Sequence, residues 1–405
     1  MDHRQASLEW LDRQRSEMAY TVETWAKINS GSYHLRGVAN QRETLADAFS
    51  VFGVPVERVP AEESEWLAPS GELLPARWGD SLHLSCRPEA PVRVLLAIHM
   101  DTVYGKDSAF QSVSWIDDNT LRGPGVADAK GGLVVMLFAL QAFEKYVAAS
   151  GNRSVGWDVV INADEEVGSP GSTRLFEECA QRVQLGMLYE PSHPDGGLVS
   201  SRKGSGNFSL MVRGQSAHAG REFDRGRNAV VRASALIEKL HALNKKFADL
   251  TLNVARVDGG GPSNVVPDLA IIRFNVRYQH REQEAAIRES LQAIADSASE
   301  QPGFNAVLHG DFSAPPKELD AATESMLQEL QSCGSELGLD LTWQPTGGVC
   351  DGNRLAACGV PNIDTLGPRG GNIHSDAEYV LIESLPERAK LSALFLMRLA
   401  EKGSG

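Results

Sequence analysis

Apolar strand patterns alternate with helix patterns in the first half of the chain, and this alternation constrains the fold more than any other feature. Residues 92–103 (VRVLLAIHMDTV) and 157–166 (WDVVINADEE) are apolar runs that end in polar residues. Helical spacing occurs at 131–148 and 172–183, and 184–191 is a further strand pattern. Apolar runs without polar alternation are typical of strands buried on both faces. The order predicts an α/β fold with a mostly parallel central sheet covered by helices.

The pattern changes after about residue 205. Four strand patterns and two helix patterns follow in the order βαββαβ, at residues 207–214, 228–243, 251–260, 269–278, 281–299 and 305–312. This order is typical of a ferredoxin-like unit. Beyond Pro315 and Pro316 the helix and strand alternation resumes and runs to a last helix from about 383. We expect a discontinuous α/β domain, residues 1–205 and 313–405, interrupted by an α+β domain at 206–312.

Length, charge and cysteine content limit the number of domains, the classes of partner and the location that we expect. A chain of 405 residues exceeds one ordinary core, which also predicts two domains. The net charge of −14 argues against nucleic acid or an anionic membrane surface as the main partner. We find neither the apolar core of a signal peptide nor about 18 consecutive apolar residues, so we expect no export signal and no membrane span. Five cysteines without CxxC spacing favour reduced thiols and a cytoplasmic location.

Titratable side chains collect where the predicted strands end. They are His99 and Asp101, the run Asp164, Glu165 and Glu166, then Glu190 and His374, with Asp128 just before the helix at 131. Ligands of an open parallel sheet bind at the carboxyl ends of its strands. Taken singly, each group has an ordinary interpretation as a hydrogen-bonded histidine, a helix N-cap or a solvated acidic loop.

Together these residues favour a metal centre. Imidazole and carboxylate ligands suit a borderline divalent ion such as zinc. One catalytic zinc takes about three protein ligands, so two histidines and three carboxylates suit two metals that share a bridging carboxylate and water. One glutamate of the Glu165–Glu166 pair can then bind metal while the other faces the water.

Five motifs resemble those of the M20 metallopeptidase family. They are HMDTV, GPGVADAKGG, the strand-end glutamate pair, LYEP and GNIHSDAEYV, in that order. The resemblance extends from about residue 20 to 400 and is greatest to the glutamate carboxypeptidase (carboxypeptidase G2-like) branch. Acetylornithine deacetylase and succinyl-diaminopimelate desuccinylase are similar as well. The resemblance implies a zinc-peptidase-like catalytic domain, and it implies that the inserted domain serves as a dimerisation or lid domain.

The resemblance also implies a role for each ligand. Asp128 would bridge two zinc ions per subunit, for which Co²⁺ or Mn²⁺ could substitute. His99 and Glu190 would complete one site, and Glu166 and His374 the other.

The other catalytic roles follow from the same resemblance. Glu165 would be the general base, and Asp101 would accept the second N–H of His99. The family pattern further implies a cis peptide bond between Asp128 and Ala129.

Substrate-side residues are implied in the same way. His218 would reach the active site of a partner subunit in a homodimer formed through the inserted domain, and Arg277 and Asn264 would bind a terminal carboxylate. Weaker candidates are Lys203, Arg369 and Gly371. The ordinary alternatives are a surface-loop histidine, a strand-edge ion pair and solvent-facing charges. His193 follows Glu190 closely, but HPDGG is typical of a turn.

Two departures from the family pattern bear on specificity. Cys350 stands where relatives tend to have serine, and because Asp351 is retained we interpret the cysteine as an isostere. Glutamate-releasing relatives carry an additional arginine near the last strand of the insertion, about where this chain has Asp311. The departure at Asp311 puts a glutamyl product in doubt.

These features favour one function and leave alternatives open. The expected function is a metal-dependent hydrolase of the glutamate carboxypeptidase type, acting on a small peptide or N-acyl amino acid with a free carboxylate. An N-acyl-amino-acid deacylase of the acetylornithine deacetylase type is the main alternative. A catalytically inert binding protein should lack the base or a ligand, whereas a single-metal enzyme would leave Asp128 and Glu190 unexplained.

Overall fold

The computed structural model describes residues 3–403. Ten α-helices lie within this range: α1 His3–Asp12, α2 Arg15–Ala26, α3 Leu35–Phe49, α4 Lys130–Ser150, α5 Thr173–Ala180, α6 Ala229–Lys246, α7 Gln283–Asp296, α8 Ala321–Glu336, α9 Asp351–Ala357 and α10 Ser384–Lys402.

Twenty strands lie in the same range. The first ten are β1 Glu57–Val59, β2 Ser64–Leu67, β3 Leu73–Ala76, β4 Ser81–Cys86, β5 Val92–His99, β6 Ser114–Trp115, β7 Thr120–Arg122, β8 Val155–Asn162, β9 Leu185–Leu188 and β10 Leu198–Arg202. The others are β11 Gly204–Arg213, β12 Ala217–His218, β13 Thr251–Gly259, β14 Val265–Val266, β15 Leu269–Tyr278, β16 Asn305–Ala314, β17 Trp343–Thr346, β18 Asn362–Ile363, β19 Gly370–Gly371 and β20 Tyr379–Leu381.

The central sheet has the strand order β1-β4-β8-β5-β9-β18. Strands β8, β5, β9 and β18 are parallel neighbours, whereas β4 and β1 run antiparallel at one edge. β5 and β8 are apolar and buried, as strands covered on both faces require. The prediction of an α/β fold with a mostly parallel central sheet is confirmed.

A second, fully antiparallel sheet has the order β13-β15-β11-β16. Its strands and the helices α6 and α7 follow the chain as βαββαβ, which is ferredoxin-like. One sheet face packs on the two helices in a hydrophobic cluster of its own, which includes Leu210, Leu236, Ile272 and Ile287. The sheet starts at Gly204 and ends at Ala314. The domain bounds at 206 and 312, and the lid or dimerisation role, stay predictions.

A hairpin of β2 and β3 lies between β1 and β4 of the central sheet in the chain, and the sequence did not predict it. Leu67 packs on Met211 and Ile271, on the face of the second sheet that lies away from α6 and α7. The Arg273 guanidinium donates to the Leu67 carbonyl at 2.9 Å. A segment that connects two strands of the central sheet therefore contacts the second sheet.

Two features of the helices are notable. A turn at Arg13 and Gln14 separates α1 from α2. α4 is long and apolar enough to cross a membrane by length and composition, yet it is mostly buried in the protein. Burial on nearly every side explains this composition, since a helix at the centre of a core has no polar face.

Candidate active site

Three adjacent parallel strands end at the same edge of the central sheet. β5 ends at His99, β8 ends just before Asp164, and β9 ends two residues before Glu190. Because these strands lie in the order β8-β5-β9, their carboxyl ends bring the predicted ligands together.

His99 is almost fully buried and is held in a defined orientation. Its Nδ1 lies 3.0 Å from the backbone carbonyl of Asp101 and 3.4 Å from the Asp101 carboxylate. The closer partner is therefore the carbonyl, although the resemblance implied the carboxylate. With Nδ1–H donating to Asp101, Nε2 of His99 is left for a metal ion.

The Asp101 carboxylate instead holds the glutamate loop. It accepts the backbone N–H groups of Glu165 at 3.2 Å and Glu166 at 3.3 Å. Ser32 donates its hydroxyl to the same carboxylate at 2.6 Å. Asp101 thus connects His99 to the loop that carries both glutamates.

Asp128 lies between the two histidines. Its Oδ1 is 3.1 Å from Nε2 of His99, and its Oδ2 is 3.2 Å from Nε2 of His374. Glu190 lies 3.8 Å from His99, and Glu166 lies 3.2 Å from His374. The Asp128 carboxylate therefore presents one oxygen to each histidine–glutamate pair.

Two further features belong to the Asp128 loop. The Asp128–Ala129 peptide bond is cis, as expected. The buried Glu378 carboxylate accepts the backbone N–H groups of Ala127 at 2.9 Å and Asp128 at 3.0 Å, and the Tyr104 hydroxyl at 2.7 Å. Glu378 was missed from the sequence, although it lies four residues after His374 in the motif GNIHSDAEYV.

The donor set fits metal ions. Donor atoms of His99, Asp128 and Glu166 lie within 4.8 Å of one another. Ligands of a tetrahedral zinc ion, with bonds of about 2.0–2.2 Å, are separated by about 3.3 Å. The distances from Asp128 to the two histidines are close to that value.

The pKa shifts of the two histidines also favour a metal site. Burial lowers the pKa of His99, yet the carboxylates of Asp101, Asp128 and Glu190 raise it well above the usual value. Hydrogen bonds to Asp128 and Glu166 raise the pKa of His374 to about 10. Without metal the carboxylates thus hold protons on the imidazoles, and divalent ions would take the place of these protons.

The pKa values of both glutamates in the pair are raised. Burial, followed by the charge of Glu190, raises the pKa of Glu165 well above its ordinary value. Burial and the charge of Asp128 raise the pKa of Glu166 to about 7. Within residues 3–403 the Glu165 carboxylate has no hydrogen-bond partner, so it is available to exchange a proton.

Two cavities of about 380 and 470 Å³ meet at this site. Both are lined by Glu165, Glu166, Val349, His374 and Arg277. The larger cavity also contains Gly371 and extends past Glu190 to His193. His193 lies on the cavity wall and begins a turn, since its carbonyl accepts the N–H of Gly196 at 2.8 Å, in accord with its interpretation as a turn residue.

Arg277 is the predicted substrate residue that reaches the cleft within the chain. Its Nε donates to Asn275 at 2.9 Å, while its buried Nη1 has no partner among the described residues. Burial lowers the pKa of Arg277, and the charge of Glu165 opposes that effect. A half-buried guanidinium with a free N–H is suited to bind a carboxylate.

Two other predicted substrate residues have protein partners. The Lys203 ammonium donates to the backbone carbonyl of Asp249 at 2.7 Å. Arg369 pairs with Glu383 at 2.9 Å and Glu387 at 3.3 Å. Both side chains are thus partly buried and bound to the protein, not simply solvent-facing, and their substrate roles stay predictions.

His218 and Asn264 lie together, but not in the cleft of their own chain. His218 is on β12, which pairs with β14, and the Asn264 carbonyl accepts the N–H of Ala219 at 2.9 Å. Both residues are exposed, and neither lines the two cavities.

The two departures from the family pattern have distinct positions. Cys350 lines the smaller cavity, and its Sγ accepts the N–H of Gly352 at 3.3 Å as a helix N-cap. A capping role agrees with its interpretation as a serine isostere. Asp311 instead pairs with Arg288 at 2.6 Å on the surface of the second sheet, and Ser313 and Ala314 line the cavity.

A buried ion-pair network behind the cleft was missed. Arg202 contacts Asp364 through two nitrogens at 2.8 and 3.0 Å, and Lys317 contacts Asp364 at 2.7 Å. Arg202 also lines the cavity beside Glu190. Nothing in the local sequence distinguishes these residues from surface charges, because only the packing of separate segments brings them together.

The fold and the site define a metal-dependent hydrolase of amide bonds. The profile of the family described as Peptidase family M20/M25/M40 matches residues 95–398. The chain belongs to this family, which confirms the resemblance seen in the motifs.

Individual relatives agree. Carboxypeptidase G2 of Pseudomonas sp. (strain RS-16) is 30% identical, over 94% of this chain and 88% of the relative. Succinyl-diaminopimelate desuccinylase of Thioalkalivibrio sulfidiphilus is 27% identical, over 79% of this chain and 87% of the relative.

Solved structures share the fold. An M20 family metallo-carboxypeptidase from Sulfolobus solfataricus has a TM-score of 0.73 at 17% identity, covering 94% of this chain and 98% of that one. A dinuclear metal binding peptidase of the M20 family from Bacillus subtilis has a TM-score of 0.66 at 14% identity, covering 96% and 99%.

Proposed function

We propose that the chain is a co-catalytic di-zinc hydrolase in which Asp128 bridges the two ions. His99 and Glu190 would complete one site, and Glu166 and His374 the other. The carrying observation is that the two oxygens of Asp128 face different histidines, at 3.1 and 3.2 Å. The dinuclear relative from Bacillus subtilis supports the same arrangement. Co²⁺ or Mn²⁺ would substitute for zinc.

Two divalent ions at this place would supply Lewis acidity, polarising the scissile carbonyl and lowering the pKa of water. Glu165 would remove the proton from the attacking water and return it to the leaving amine. Its unpartnered carboxylate supports this role. Asp101 keeps Glu165 in place through the backbone N–H of the glutamate loop.

Arg277 would bind the free carboxylate of the substrate, since its Nη1 is buried without a partner at the junction of the cavities. The substrate would be a small peptide or an N-acyl amino acid. Similarity to carboxypeptidase G2 over nearly the whole chain favours a glutamate carboxypeptidase type of reaction. The desuccinylase relatives favour the alternative, an N-acyl-amino-acid deacylase. An inert binding protein is disfavoured, because Glu165 and all five ligands are present.

A homodimer would complete the site. His218 and Asn264 lie on an exposed two-stranded ribbon outside their own cleft, which supports action on a partner subunit. There His218 would stabilise the developing oxyanion, and Asn264 would assist Arg277. We further propose a cytoplasmic location, on the basis of the reduced cysteines.

The test is a panel of N-acyl amino acids and dipeptides, assayed with Zn²⁺, Co²⁺ or Mn²⁺ while amine release is followed. We expect hydrolysis that depends on added metal and on a free carboxylate in the substrate. Equal hydrolysis of the carboxylate and its amide would contradict the role of Arg277. The absence of hydrolysis with every metal would contradict the proposed function.

A further inference from the structure

The smaller of the two cavities contains a second arginine that the proposed chemistry does not use. We call this cavity, of about 380 Å³, the arginine chamber; its polar wall includes Ser205, Asn207, Arg277, Ser313 and Arg354. Arg277 lies on β15 of the second sheet, whereas Arg354 lies on α9, which follows that sheet in the chain. The packing of the two sheets therefore brings two guanidinium groups to one small volume beside Glu165 and Glu166.

Arg354 is well buried yet incompletely satisfied. Its side chain is 9% exposed. Nε donates to Asp351 at 3.1 Å, and Nη2 donates to the Gly168 carbonyl. Within the described residues, Nη1 has no hydrogen-bond partner. Since most of the side chain is buried and its other two nitrogens are bound by the protein, Nη1 is the part of the guanidinium that a ligand in the cavity can reach.

Asp351 cannot supply the missing acceptor. One of its oxygens accepts from Ser169 at 2.6 Å as well as from Arg354, and the other accepts from Asn162 at 2.7 Å. These bonds hold the carboxylate at the rear of Arg354. Asp351 thus orients the guanidinium, and the free Nη1 remains for a ligand in the chamber.

Arg277 presents a second unpartnered nitrogen to the same cavity, since its Nη1 is buried and free. The side-chain oxygens of Ser205 and Asn207 accept from the Asn275 amide at 3.1 and 2.8 Å. Ser205, Asn207 and Ser313 are neutral, so Arg277 and Arg354 are the positively charged donors among these wall residues. A carboxylate is the group that matches a guanidinium in charge and geometry.

We propose that Arg354 is a specificity residue that binds a second carboxylate of the substrate, in addition to the one at Arg277. This rests on the proposed function, which gives Arg277 the first carboxylate. α9 would then supply the positive charge that the segment around Asp311 lacks. The second carboxylate comes from one of two sources, the acidic side chain of the released amino acid or a dicarboxylic acyl group.

Two matched substrate pairs separate these sources. The first pair, N-acetyl-glutamate and N-acetyl-glutamine, tests the amino-acid side chain. The second pair, N-succinyl-alanine and the analogue in which the free carboxyl of the succinyl group is a carboxamide, tests the acyl group. We expect kcat/KM to favour the acidic member at least tenfold in one pair. Arg354→Gln should bring that ratio close to one, while Arg354→Lys should retain part of it.

A purely structural role would give a different result. Arg354 also braces the glutamate loop through Gly168, so Arg354→Gln will lower kcat for every substrate. A structural effect leaves the acidic-to-neutral ratio unchanged, and an unchanged ratio would overturn the proposal. Arg87→Gln is the matched control, since Arg87 is similarly buried and paired with Glu144 but lies outside both cavities. It should leave the ratio intact.

A second variant and a binding measurement keep the proposal testable if Arg354→Gln does not fold. Ser313→Asp should compete for Nη1 and reduce the acidic preference without removing a buried group. In the Glu165→Gln background, calorimetry should give a tighter Kd for the favoured acidic ligand than for its neutral analogue. Equal Kd values, or no preference in either pair by the wild-type enzyme, would overturn the role of Arg354. Loss of all hydrolysis with normal selective binding would instead count against the proposed function.

Discussion

Glu165 and Glu166 are neighbours in the chain with different surroundings. The Glu166 carboxylate lies 3.2 Å from His374, whereas the Glu165 carboxylate has no partner within residues 3–403. Both backbone N–H groups are bound by Asp101. A single anchoring carboxylate thus holds two adjacent side chains in different surroundings, which suit the two tasks proposed for them, metal binding by Glu166 and proton transfer by Glu165.

Glu165→Gln separates these tasks. The amide keeps the shape of the side chain but cannot accept a proton, so we expect kcat to fall about 10²–10⁴-fold. Metal content, measured by elemental analysis, should stay normal. Glu166→Ala is the contrasting variant and should lower metal content itself. Near-normal turnover by Glu165→Gln would show that Glu165 is not the general base.

Glu378 should affect metal affinity without binding metal. Its carboxylate accepts backbone N–H groups at Ala127 and Asp128, and Glu378→Gln places an N–H donor against them. Because groups that orient metal ligands typically contribute 10–100-fold to affinity, we expect a loss of about that size. Competition with a chromophoric chelator measures it. Glu383→Gln, immediately before α10, is the control, and equal affinity in both variants would refute the role.

The central strands also carry a buried charged network away from the metal ligands. Asp158 on β8 contacts Arg93 on β5, and it contacts His83 on β4 at 3.0 Å. Burial is the largest single effect and lowers the pKa of His83, but the hydrogen bonds and charges of Asp158 and Cys179 together outweigh burial and raise the pKa from 6.5 to about 9. The imidazolium therefore links the antiparallel strand β4 to the parallel strands β8 and β5.

This network predicts a specific dependence of stability on pH. Since the folded pKa is raised, the stabilisation is complete below pH 6.5 and is lost as the pH rises through about 9. We expect about 3 kcal/mol at most. Denaturant unfolding of the zinc-loaded protein at pH 6 to 10 should show His83→Gln losing this slope, whereas the exposed His241→Gln keeps it. Parallel profiles for wild type and His83→Gln would contradict the assignment.

Across the molecule, the cleft is built from two sheets, yet two of the predicted site residues face outward. The β12–β14 ribbon carries His218 and Asn264 at the surface. If a second copy supplies them, each site of a dimer contains residues from both chains. The active unit would then be the dimer.

Subunit exchange tests this arrangement. His218→Ala and Glu165→Gln should each be weakly active alone. If His218 stabilises the oxyanion, we expect kcat of His218→Ala to be about 10²–10³-fold lower than that of the wild type. In an equal mixture, half of the dimers are mixed, and one of their two sites has both residues, so about a quarter of wild-type activity should return. Exchange itself is followed by native mass spectrometry. No recovery despite exchange would exclude action across the interface.

Local patterns were sufficient for much of the fold. Strands β5, β8 and β15 and helix α4 lie within a few residues of their predicted bounds, because long apolar runs have a strong period. The sequence also indicated that the five proposed metal ligands would lie near one another, since their motifs follow strand ends and helix starts. By contrast, the β2–β3 hairpin and the short strands β19 and β20 carry no local signal strong enough to predict.

Contacts between distant segments could not be read in this way. Glu378 reaches Asp128 across 250 residues, Arg354 reaches Gly168 across 186, and Arg202 reaches Asp364 across 162. Each side chain looks like an ordinary surface charge in its own segment. Sequence periodicity records which face of an element is buried, whereas the partners of a buried charge depend on how separate elements pack. The positions of the proposed ligands thus follow from the strand ends, whereas the contacts of Glu378, Arg354 and Arg202 follow from the way separate elements pack.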